Sequence, residues 1–184
     1  MVEGVSILSV ACSVLLCMWG ITRLKRIKSV VIVDFQRGVR FRKGVFRDEI
    51  GAGAYTIDSQ KEQILIMDLR PRLILIERQG YQDALQSPTV VSMAGELLVS
   101  NAHLAATKLK DPVNDAMPLV RDALINCGKQ NITDDSTTGR QRLSDLVTAA
   151  TNQELAKVGM RIANVEITEL WCRQVHTAIG ATAN

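Results

Sequence analysis

The sequence predicts an α+β domain carried behind one N-terminal membrane helix. Three observations predict it. Gly4 to Thr22 is a 19-residue run without a charge. Short β-branched segments separated by turn residues follow it, and after Asp111 the apolar spacing changes from strand-like to helical. A length of 184 residues suits one domain with a sizeable core and is short for two ordinary ones.

Composition narrows the class. Hydrophobic residues make up 47% of the chain and charged residues 22%, which excludes a wholly disordered protein. A mean hydropathy of +0.09 is high for a soluble protein and directs attention to a concentrated apolar segment. Aromatic residues, at 4%, are too few for a base-stacking platform, so nucleic acid is not an expected partner. Four cysteines are too sparse for a disulfide scaffold.

The uncharged run comes first. At 1.5 Å per residue it reaches about 28 Å as a helix, close to the ~30 Å of a bilayer's hydrocarbon core. Val5, Ile7, Leu8, Val10, Val14, Leu15, Leu16 and Ile21 each favour insertion by roughly 0.3–0.6 kcal/mol. Trp19 stands near one end, where an indole meets the headgroup boundary. The run stops at a basic collar, Arg23, Lys25, Arg26 and Lys28. A cleaved signal peptide needs positive charge ahead of its apolar stretch, and only Glu3 stands there. A retained single-pass anchor fits better than that or than a buried core helix. The positive-inside rule then puts the collar and the following domain on the cytoplasmic side of the cell membrane. Cys12 and Cys17 read as small apolar residues of the anchor, Cys17 being the better placed for acylation.

Charge is unevenly spread. The chain carries +3 in all, yet from Arg23 to Asp48 nine Lys or Arg stand against Asp34 and Asp48 alone. A basic block behind an apolar run points to an anionic surface, here lipid headgroups.

Ser29 to Phe35 reads as a strand, Gln36-Arg37-Gly38 as a turn, and Val39-Arg40-Phe41-Arg42 as a half-buried strand with one cationic face. Gly51-Ala52-Gly53-Ala54 lacks the spacing of a phosphate-binding loop and reads as a bend. Ile64 to Leu69 reads as a strand buried on both faces for most of its length, Leu73 to Ile76 as another, and 89–99 as a further extended stretch. Asp111-Pro112 then supplies an N-cap with proline at the first helical position. Val113, Met117, Val120 and Leu124 form one helical face, and Gly128 is expected to end that helix. A second helix is expected from about Arg140 to Lys157, with Leu143, Leu146, Val147 and Ala150 aligned and Gly159 as its stop. The closing strand, 161–171, alternates Ala163, Val165 and Ile167 with polar residues.

Catalysis needs convergent groups, and the sequence offers none. His103 and His176 have no Cys or carboxylate at ligand spacing. Cys127 and Cys172 are isolated from histidine, and Ser92, Ser100 and Ser144 lack a nucleophile elbow. Asp134-Asp135 opens no calcium loop, and Glu166 and Glu169 are expected on opposite faces of their strand. No catalytic residue, metal ligand or cofactor is therefore expected.

Several strings taken together resemble the SPFH or Band 7 superfamily of stomatins, prohibitins and flotillins. Val33-Asp34-Phe35-Gln36-Arg37-Gly38-Val39, behind a membrane segment, is similar to the family's opening strand. Gly44-Val45-Phe46, Gly51-Ala52-Gly53-Ala54-Tyr55, Met67-Asp68-Leu69-Arg70-Pro71 and Leu109-Lys110-Asp111-Pro112 resemble later motifs in order, and Gly159 to Ile167 resembles the closing strand. The likeness covers about residues 29–171. It departs from the pattern at Gly51-Ala52-Gly53, which stands for Gly-Pro-Gly, and at Gln82 to Pro88. After the last strand come Cys172 to Asn184, without heptads, where members continue into a long coiled coil. The resemblance implies an anchor and collar over 1–28, an SPFH domain over 29–171 made of antiparallel strands, two helices and a closing strand, and a short tail over 172–184. It implies a self-associating membrane scaffold whose partners are membrane lipids and integral membrane proteins such as proteases and channels. A monomeric tethered adaptor is the alternative, and a membrane-anchored enzyme the third reading.

Overall fold

The computed structural model describes residues 27–131 and 135–172. The expected anchor, Val5 to Ile21, and Arg23, Lys25 and Arg26 of the collar lie outside the described residues. No helix among the described residues is long and apolar enough to cross a membrane. The architecture is α+β with antiparallel pairing throughout. The chain divides into two compact units after Asp68, a division not drawn in the sequence reading of 29–171 as one domain.

The first unit holds five strands: β1 Ile27–Ile32, β2 Gln36–Arg42, β3 Val45–Ile50, β4 Gly53–Asp58 and β5 Glu62–Asp68. β1 pairs with β4, and β2 lies between β3 and β5. Ile32, Val39, Ile50, Ile57 and Met67 form its core. Gly38 lies inside β2 because a Cβ there would run into the side chains of Ile32 and Ile50. The expected turn at 36–38 therefore falls earlier, where the Gln36 N–H donates to the Val33 carbonyl. β5 differs from the doubly buried strand expected at 64–69. Only Met67 is buried, and Ile66 is exposed, since a unit of five short strands covers one face of each.

The second unit combines a three-stranded sheet, β6 Arg72–Gln82, β7 Pro88–Val99 and β8 Met160–Cys172, with helices α1 Ala102–Lys108, α2 Pro112–Gln130 and α3 Thr137–Ala156, of which α2 packs on β6 and α3 on β8; the short α1 is one helix more than the two expected, too brief for its periodicity to stand out. Each helix has a side-chain N-cap: Asn101 accepts from the Leu104 N–H at 2.9 Å, Asp111 from Asn114 and Ser136 from Gly139. Asp111 and Pro112 begin α2 as expected, but Gly128 does not end it. The helix runs on to Gln130, and Gly128 is buried there because the Tyr81 ring fills the space of a Cβ. In α3 the buried positions are Leu143, Ser144, Val147, Thr151 and Leu155. Leu146 remains 36% exposed, so the stripe expected through it is rotated. Gly159, at φ +75°, follows that helix in the left-handed conformation.

α3 also finishes the free edge of β8, whose unpaired backbone groups need partners. Asn152 donates to the Ile162 carbonyl at 3.1 Å and accepts its N–H at 2.8 Å, as a neighbouring strand would. About two and three helical turns further back, Ser144 donates to the Val165 carbonyl and Arg140 to that of Thr168. β8 itself breaks the simple alternation. Its core residues are Met160, Ile162, Ile167 and Leu170, while Ala163 and Val165 are only half-buried. Register shifts opposite Gly95 and beside Ser92 change the parity twice.

Candidate membrane-facing site

Lys28 is the collar residue that the structure describes. It lies exposed in β1, opposite Ile57 of β4. The register shows what surrounds it. Ile27 pairs with Asp58, and the Lys61 N–H donates to the Asp58 carbonyl at 2.9 Å. The Lys43 N–H in turn donates to the Lys61 carbonyl at 2.8 Å, and Arg42 pairs with Glu62. The start of β1, the turn 59–61 and the tip of the β2–β3 hairpin thus share one end of the first unit.

The hairpin tip is locally determined. Lys43 and Gly44 have φ of 51° and 78°, the left-handed pair needed for a two-residue turn matching the strand twist. Below it Phe41 faces Phe46, their rings edge-on with centroids 6.2 Å apart. Val45 is 69% exposed, Phe46 38% and Ile27 56%. Glu62 receives Arg47 at 3.1 Å and Arg42 at 3.9 Å, and Asp58 receives Lys61 at 3.6 Å. Lys28 and Lys43 have no ion pair among the described residues. Farther along the hairpin the Arg40 Nε donates to Asp48 at 2.7 Å. That hydrogen bond holds the Arg40 pKa above its ordinary value and the Asp48 carboxyl below its own.

Charge separates along this unit. The half bearing the tip carries Lys28, Arg40, Arg42, Lys43, Arg47 and Lys61 against Asp48, Asp58 and Glu62, a net of +3. The opposite half carries Arg37 against Asp34, Glu49 and Asp68, a net of −2.

The second unit contains the other chemically interesting feature. Two residues of β6, Glu77 and Arg78, stand opposite Ser92 alone, and on the other side one residue of β8, Thr168, is extra between the partners of Ser92 and Met93. Ser92 is buried, accepts the Arg78 N–H at 3.0 Å and donates to Glu169 Oε2 at 3.1 Å. An open cavity of about 370 Å³ lies there, and one of about 690 Å³ runs past Arg78 and Glu169 to Arg140 and Trp171. Glu166 lines a third, of about 490 Å³, with Asp135, Arg140 and Ser144. Glu166 and Glu169 therefore belong to different hollows.

Serine and carboxylate meet at Ser92 with no imidazole bonded to either among the described residues, and that pairing satisfies a buried hydroxyl. The sequence reading misses it, because only the bulges bring Ser92 and Glu169 together across 77 residues. His103 stands near the start of α1 and Cys127 in the last turns of α2, where burial raises the thiol pKa and disfavours thiolate. Among the described residues no three His, Cys, Asp or Glu side chains gather to hold a metal. No protein-family model matches this chain, and no curated protein is recognisably similar to it.

Proposed function

We propose that this chain is a membrane-anchored scaffold of the SPFH kind, which self-associates and acts by contact with lipids and membrane proteins. Val5 to Ile21 form the anchor, Arg23, Lys25, Arg26 and Lys28 meet the headgroups, and both compact units stand on the cytoplasmic side. The observation that carries this reading is the continuity of the chain. The uncharged run passes through the collar into β1 within five residues, Thr22 to Ile27. The order of strands, helices and closing strand supports it. The reading assigns no catalytic residue, metal or cofactor.

Two measurements test it. Protease protection of the full chain in sealed vesicles should place the units on the cytoplasmic face, and replacing the four collar residues with Glu should invert or mislocalise the protein. Unchanged topology in that variant sinks the role given to the collar. Light scattering in mild detergent should give a large discrete assembly. A monomer would remove the scaffold and leave a tethered adaptor.

A further inference from the structure

The chain reaches the first unit at the end where the β2–β3 hairpin tip lies, and this coincidence is created by strand pairing. Four residues, and so five Cα steps, lie between Thr22 and Ile27, and β1 begins at most about 18 Å along the chain from the end of the uncharged run. Beside that point, Val45 and Phe46 expose apolar surface between Arg42, Lys43 and Arg47. Apolar side chains ringed by cations suit the boundary of an anionic bilayer, where the former enter the acyl region and the latter meet phosphate. The far end also exposes apolar residues, Val33 and Phe35, but with Asp34 between them and a net charge of −2. Charge and tether both choose the same end.

We propose that the Phe41–Arg47 hairpin tip is a second membrane contact, inserting Val45 and Phe46 into the interface of an anionic leaflet and standing the first unit end-on against the bilayer. The proposal rests on the anchor reading above and adds to it. A tethered unit is held near the membrane without any preferred orientation, and the tip supplies one. The Lys43-Gly44 turn presents the two apolar residues at the start of β3, whose register with β2 fixes their place at the tip.

The test uses single-tryptophan versions of the full chain, reconstituted into phosphatidylcholine vesicles with and without phosphatidylserine and carrying bromo-acyl lipid as a contact quencher. With Trp19→Phe and Trp171→Phe, the indole introduced by Val45→Trp should emit to the blue and lose intensity to bromolipid, more strongly with phosphatidylserine. The one introduced by Phe35→Trp at the opposite end should keep its intensity. A chain retaining Trp19 alone reports on the anchor. If Trp19 is quenched and the Val45 position is not, the hairpin contact is wrong while the anchor stands. If Trp19 itself is not quenched, the anchor reading fails and takes the hairpin with it. Equal quenching at both ends, or indifference to phosphatidylserine, overturns the end-on, charge-guided contact. Gln60→Trp, in the exposed adjoining turn, repeats the measurement should Val45→Trp disturb folding.

Discussion

In the first unit β2 pairs with β5 over seven residues, Gln36 to Arg42, without a shift, whereas in the second unit β7 loses register with both neighbours around Ser92. The difference follows from what each sheet has to bury. Five short strands enclose a core of Ile32, Val39, Ile50, Ile57 and Met67, and their charges sort towards the two ends. The longer strands of the second unit must curve under α2 and α3, and bulges let them do so at the cost of unpaired backbone groups. Side chains satisfy the groups so freed and those of the β8 edge: Ser92 for Arg78, and Asn152 and Ser144 along β8. One unit places its polarity outside, and the other uses polarity to complete its frame.

The largest expected effect tests whether the units are separable in stability as well as in contact. Leu124→Ala, at a fully buried position of the second unit, should cost about 2–5 kcal/mol. In urea unfolding of the full chain, a shift confined to one of two transitions would mean separable units, and one common shift would mean a single cooperative fold. Gly38→Ala is the counterpart in the first unit. Its methyl would press on Ile32 and Ile50, so a loss of roughly 1–3 kcal/mol is expected, read from the same curves.

Smaller effects sharpen the point about polar framing. Asn152→Ala strips partners from both backbone groups of Ile162 and should cost about 1–3 kcal/mol, with faster amide exchange along β8. Thr151→Val should do the opposite. The Thr151 hydroxyl is buried without a partner among the described residues, so a methyl of the same shape should leave stability unchanged or raise it by up to about 1 kcal/mol. A loss of stability there would reveal a hydroxyl contact.

The smallest effect is electrostatic. Hydrogen bonds from Asn114, the backbone N–H first, hold the Asp111 carboxyl below its ordinary 3.8. A carboxyl with a depressed folded pKa adds stability that is present above the unfolded value and lost as pH falls through the folded one. Melting temperature should therefore drop less on acidification in Asp111→Asn than in the native chain. Equal slopes would show that this cap carries no titrating share.

Much of this was legible in the residues because it is local. Asp111-Pro112 and Gly159 announced the start of α2 and the stop after α3 through backbone chemistry that needs no tertiary contact. The apolar run and all of its collar but Lys28 lie outside the described residues, so the anchor belongs to the proposal and not to this comparison. Gly128 was misleading because a glycine that ends a helix and one that admits a ring look alike in sequence. Leu146 and the alternation of β8 misled because a helix's buried stripe and a strand's parity depend on neighbours.

The sequence by itself determined the basic block, the Asp111-Pro112 start of α2, the Gly159 stop after α3 and the α+β order, each set by a few adjacent residues. Only the tertiary structure decided that β1, the 59–61 turn and the hairpin tip gather at one end, and that Ser92 meets Glu169. Register is a cooperative property of many pairs, and no single residue along the chain encodes which of them will meet.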